Sequence, residues 1–124
     1  MNIISLTIIE EQEQNPMTNF MYALKAPETR RQWPRRLKIF LDFPQLEGSV
    51  EERARQFLPK ARQNTQWAQE NLIQFMIFQQ ERVRRGEISE STIPNYYKAA
   101  KLFCEMNDLV FNWKKITRML SNWK

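Results

Sequence analysis

Gly48 and Gly86 are the only glycines in 124 residues, and that scarcity narrows the fold more than any motif does. Tight hairpin turns draw on glycine for their left-handed positions, so a β-rich fold is disfavoured. Helices need glycine chiefly just past their ends. The length is that of one domain, long enough to bury roughly two-thirds of its unfolded surface around a single core. Hydrophobic residues make up 42% and charged residues 27%, an ordinary globular balance.

The apolar spacing is helical nearly throughout. Residues 1–16 read as a loose or disordered extension, and residues 17–124 as one helical domain. Thr18 is placed to cap a short helix carrying Phe20, Met21 and Leu24. A second helix should run from about Pro27 to Phe43, with Trp33, Leu37, Phe40 and Leu41 forming its apolar stripe. Pro34 predicts a kink or a late start there, and Pro44 a stop. Ser49 and Glu52 make a capping box for a third helix, which Pro59 should kink or end. Asn64 or Thr65 heads a long helix closed by Gly86. Leu72, Ile73, Phe75, Met76, Ile77 and Phe78 make that helix apolar nearly all round, so it should be the buried, central one. Ser91 or Thr92 caps a fifth helix with Ile93, Tyr97, Ala100 and Cys104 inward, widened by Tyr96 and Phe103. Asn112 caps a last one from Trp113 to about Leu120, with Ile116 and Leu120 inward. The expected architecture is an all-α, compact bundle of five to six helices.

Several chemistries are missing. The chain has no His, which removes His-based acid–base catalysis, the Ser-His-Asp triad and most zinc sites. One cysteine, Cys104, allows neither an internal disulfide nor a thiolate cluster, and its place on the apolar stripe makes it a core residue. The pairs Glu10/Glu11 and Glu51/Glu52 fit solvation and helix starts better than acid–base work. Neither a metal nor a cofactor is expected, nor catalysis within this chain. Ile3–Ile9 is apolar but short, lacks a preceding base and runs into Glu10, Glu11 and Glu13, so it reads as neither a signal peptide nor a membrane span. A cytoplasmic location is expected.

The net charge is +5, and it is unevenly spread. Arg30–Pro44 holds Arg30, Arg31, Arg35, Arg36 and Lys38 against Asp42 alone. Ser91–Lys124 holds six bases against Glu105 and Asp108. The first 29 residues are net acidic, and Gln45–Glu90 balances. Arg31, Arg35 and Lys38 fall within about 60° of one another, opposite the apolar stripe. Two ordinary solvated helix faces would give the same count, as would a cationic surface for a polyanion.

Three stretches carry a resemblance: APETRRQWPRRLKIFLDF (26–43), WAQENLIQFMIFQQERV (67–83) and RGEISESTIPNYYKAAKLFCEMNDLVFNWKKITRML (85–120). Together they resemble the N-terminal, SAM-like core-binding domain of archaeal tyrosine recombinases in the phage-integrase family. The resemblance implies a helical clamp on double-stranded DNA, working in site-specific integration and recombination, with cutting done by a separate catalytic domain this chain does not contain. It implies DNA contacts from Thr29, Arg30, Arg31, Arg35 and Lys38 on the helix Pro27–Phe43. It implies others from Ser91, Thr92, Asn95, Lys98 and Lys101 on the helix Thr92–Asn107. A free helix N-terminus with Ser and Thr hydroxyls would suit a phosphate there. Bound to DNA, such a protein would sit on the nucleoid. The alternative is a helical protein-interaction or oligomerisation module. Phe111, Trp113 and Trp123 would then dock a recombinase catalytic domain or further protomers.

Overall fold

The computed structural model describes residues 15–119, which form six α-helices and no strand. They are α1 (Pro16–Tyr22), α2 (Pro27–Asp42), α3 (Val50–Gln63), α4 (Thr65–Arg84), α5 (Thr92–Met106) and α6 (Trp113–Met119). The expected extension (up to residue 14), Leu120 and Trp123 lie outside the described residues.

Side chains written into the sequence set most helix ends. The Glu52 N–H donates to Ser49 Oγ and the Ser49 N–H to Glu52 Oε1, each at 3.2 Å, completing the capping box that starts α3. Hydrogen bonding to the carboxyl from Ser49, first its backbone N–H and then its side chain, holds Glu52 below the usual carboxylate range. Gly48 precedes the box at φ +97°, and a Cβ there would meet Glu52 Oε2 at 2.8 Å. Asn64 Oδ1 accepts the Trp67 N–H at 3.0 Å to start α4. Asn112 Oδ1 accepts the Lys115 N–H at 3.0 Å to start α6. The end of α4 is a Schellman turn around Gly86 (φ +77°), with Glu87 N–H donating to the Arg82 carbonyl at 2.9 Å. α5 ends in the same way around Asp108 (φ +60°), with Leu109 N–H donating to the Cys104 carbonyl at 2.9 Å. An aspartate can take that left-handed position.

Three expectations need correction. Thr18 does not cap α1. Asn15 does, its Oδ1 accepting the Thr18 N–H at 3.3 Å, and Pro16 opens the first turn, where a missing N–H costs nothing. Neither inner proline stops its helix: α2 starts at Pro27 and runs through Pro34, and α3 runs through Pro59. The buried residues that follow Pro34 (Leu37, Phe40, Leu41) and those that flank Pro59 (Phe57, Leu58, Ala61) outweigh the one hydrogen bond each proline removes. Finally, α4 is not buried all round. Ile77 and Phe78 are 48% and 47% exposed, while Gln79 is buried. α4 packs on α3, α5 and α6, and these cover one arc of it.

The core is strung on phenylalanines. Each of the first five helices sends one almost fully buried Phe inward: Phe20, Phe40, Phe57, Phe75 and Phe103. They touch in series. Phe20 meets Phe103 (6.3 Å between centroids), Phe103 meets Phe57 (6.1 Å), Phe57 meets Phe40 (5.5 Å) and Phe40 meets Phe75 (5.3 Å). Most cross at steep angles, the arrangement that ring quadrupoles favour. α2 makes its broadest contact with α5. α6 joins through buried Ile116 and through Trp113, edge-on to Tyr97 at 6.0 Å.

One polar residue completes the core. Asn107, buried at the end of α5, accepts from Asn19 Nδ2 at 2.9 Å and donates to the carbonyls of Phe103 (2.9 Å) and Pro16 (3.2 Å). It thereby ties α1 to α5. Its own carbonyl accepts from Arg62 of α3. Truncating Phe57 to Ala should cost about 3–5 kcal/mol, and Asn107→Ala about 1–3 kcal/mol by orphaning buried partners. Phe78→Ala should stay within about 1 kcal/mol because half its surface already faces water. Urea titrations of the three variants check this order.

Candidate nucleic-acid interface

The positive surplus on α2 is largely committed inside the protein. Leu37, Phe40 and Leu41 turn inward with Trp33 beside them, which sets Arg31, Arg35 and Lys38 on the solvent side. Arg31 pairs with Glu28 at 2.7 Å and Lys38 with Asp42 at 3.1 Å. Asp42 also pairs with Arg53 of α3. Hydrogen bonds from Gln32 and then from Arg31 hold the Glu28 carboxyl below its ordinary range. Arg30 is turned back on α1, donating to the carbonyls of Met21 (3.0 Å) and Leu24 (2.8 Å) and closing the end of that helix. Thr29 is half-buried in the first turn. Arg35 is exposed, and its side chain makes no ion pair or hydrogen bond among the described residues.

The start of α5 differs from the expected phosphate seat. Ser91 precedes the helix with helical torsions and makes no capping bond. The Ser89 hydroxyl bonds instead with those of Ser91 (2.8 Å) and Thr92 (3.2 Å). The Thr92 and Ile93 N–H groups are already donated to the Ser89 and Glu90 carbonyls, and Pro94 has no N–H. The first turn therefore has no free donor at its first three residues. Farther along, Lys98 is exposed and unpaired among the described residues. Lys101 lies over the Trp113 ring, 5.6 Å from its centroid, and so leans toward α6. Asn95 is half-buried.

α2 and α5 are thus direct neighbours, each with cations on its outer side. Sequence reasoning passed over α6. Lys114, Lys115 and Arg118 are all exposed, and their side chains carry no partner among the described residues. The signal was present, since no acid falls between Trp113 and Met119. By contrast Phe111 is buried and Trp113 is packed against the core, so neither is a free docking handle.

The remaining chemistry is sparse. Cys104 is fully buried, and burial pushes its thiol far above the usual range, consistent with a core residue. Glu52 serves its capping box, and no group of acids, His or Cys among the described residues could hold a metal ion. No described helix is long and apolar enough to cross a membrane. An open groove of about 800 Å³ runs between α1, α2 and the start of α3. Both cations lining it are engaged, Arg30 on carbonyls and Lys25 over the Tyr22 ring at 4.5 Å.

Arg30 should therefore behave as a fold residue. Arg30→Gln should cost about 1 kcal/mol of stability and leave polyanion binding within about twofold of wild type. Thermal unfolding and a titration with labelled duplex DNA read the two effects separately. No protein-family model, curated protein or solved structure matches the chain.

Proposed function

We propose that the chain is the DNA-binding clamp domain of a tyrosine-recombinase-like integrase. It grips double-stranded DNA through two basic helices, and a catalytic domain elsewhere in the parent protein does the cutting. The observation that carries this reading is the direct packing of α2 on α5, the two helices that hold or begin the two positive segments. Their outer cations are available to phosphates. Arg35 and Lys98 make no ion pair or hydrogen bond among the described residues, and Arg35 stands near enough to Glu28 only to add to the lowering of its carboxyl by Gln32 and Arg31. The pairs Arg31–Glu28 and Lys38–Asp42 are solvent-exposed, and such pairs contribute about 0–1 kcal/mol, which a DNA phosphate can replace. The resemblance of residues 26–43 and 85–120 to core-binding domains points the same way.

A second reading, a protein-interaction module, draws on the half-exposed Ile77 and Phe78 of α4. Sedimentation separates the two, because a self-associating module leaves the monomer position without DNA.

The clamp should bind duplex at about micromolar affinity with little sequence preference. Log affinity should fall against log salt by about 0.9 per phosphate neutralised. Arg31→Glu with Arg35→Glu should weaken binding roughly tenfold or more and make the slope shallower by about two. Fluorescence anisotropy on a labelled duplex at several salt concentrations measures both. Wild-type affinity in the double variant removes α2 from the interface.

A further inference from the structure

We infer that α6 is a third phosphate-binding element, contacting the nucleic-acid backbone through Lys114, Lys115 and Arg118. The inference rests on the DNA-binding reading above and adds a surface to it. On a helical wheel these three fall within about 100° of one another, opposite the buried Ile116. All three are exposed. In α2 and at the end of α4 acids stand near the cations: Arg31 has Glu28, Lys38 has Asp42, and Arg84 and Arg85 share Glu81. α6 has no acid at all and no ion pair among the described residues.

The local physics of α6 disfavours this arrangement in the free protein. Lys114 and Lys115 stand in the first turn, next to the positive end of the helix dipole. Lys114 and Arg118 are like charges four residues apart, which repel. Arg118 alone suits its place, near the negative end. The seven described residues of α6 have little propensity energy to set against such repulsion. An external polyanion relieves it, whereas no acid among the described residues pairs with these cations. A breach of local rules that brings no internal gain is what a binding surface leaves behind.

The start of α6 also lies against a cation that the clamp reading gives to DNA. Lys101 is held over Trp113, the first residue of α6, and Lys98 lies one turn earlier on α5. Lys101 of α5 thus reaches the first residue of α6. An anionic membrane is the other polyanionic surface to weigh. Membrane-surface helices pair cations with a broad apolar face that enters the lipid, and the inner residues of α6, Trp113 and Ile116, are spent on the protein core. Nucleic-acid backbone is the better fit.

The test compares the wild-type chain with the triple variant Lys114→Gln, Lys115→Gln, Arg118→Gln. Labelled duplex DNA is titrated at several salt concentrations, vesicles containing phosphatidylglycerol are titrated in parallel, and thermal unfolding is recorded. The inference expects weaker duplex binding and a salt slope shallower by about two to three. It also expects an unfolding temperature no lower than wild type, because the substitutions remove repulsion. A wild-type chain that binds duplex, with the triple variant binding equally well at the same slope, overturns this inference and leaves the clamp reading standing. A wild-type chain that binds no duplex overturns both. Binding to vesicles but not to DNA assigns the arc to lipid and also overturns it. A lower unfolding temperature in the triple variant gives these cations a structural role and counts against it.

Discussion

Five phenylalanine rings in series hold five helices to one another. Phe103, Phe57 and Phe40 are the inner links, since each touches two of the others, and Phe57 also touches Trp67. The order of contact, 20–103–57–40–75, is not the order of the chain. It joins the first helix to the fifth before either meets the middle of the sequence. With two glycines and short loops, the chain has little freedom to close this circuit in more than one way. The buried Asn107 reinforces the same closure in polar form, binding α1 and α5 at the point where α5 ends. The Schellman turn around Asp108 then redirects the backbone toward α6.

This closure decides where the charge goes. Because α2 lies on α5 with its stripe of Leu37, Phe40 and Leu41 inward, its arginines and lysine are driven outward whatever their purpose. The bundle then uses some of them. Arg30 closes α1, and Asp42 gathers Lys38 and Arg53 across α2 and α3. What remains uncommitted lies at Arg35, Arg55 and Lys98 and along α6. A net charge of +5 is a modest total, and these pairings leave much of it on cations without an ion pair among the described residues, with Glu28 near Arg35 and Glu52 near Arg55.

Helix ends governed by one residue and its neighbour three positions on were legible in the sequence: Ser49 with Glu52, Asn64, Gly86 and Asn112 all act as their patterns suggest. Ends that depend on competition were not. Ser91 and Thr92 look like caps, but Ser89 stands close enough to engage both hydroxyls, and Pro94 removes a donor that a cap would serve. Asn15 followed by Pro16 is a clear start signal that the acidic stretch before it obscured. The exposure of Ile77 and Phe78 was out of reach for a different reason. Periodicity shows which faces of a helix are apolar, and only the number of neighbours shows which of those faces are covered.

The same division runs through the candidate interface. Pairs within one helix, Glu28 with Arg31 and Lys38 with Asp42, can be read from spacing alone, because three or four residues bring side chains together. Counting net charge per segment treats them as free and so overstates α2. The turn of Arg30 onto the α1 carbonyls cannot be read that way, because it depends on how two helices meet. Weighing each cation by the acids one turn away, rather than by segment totals, ranks α6 above α2 from the sequence itself. On that ranking, the stretch that contributes least to the core is the one whose charge is most available to a partner.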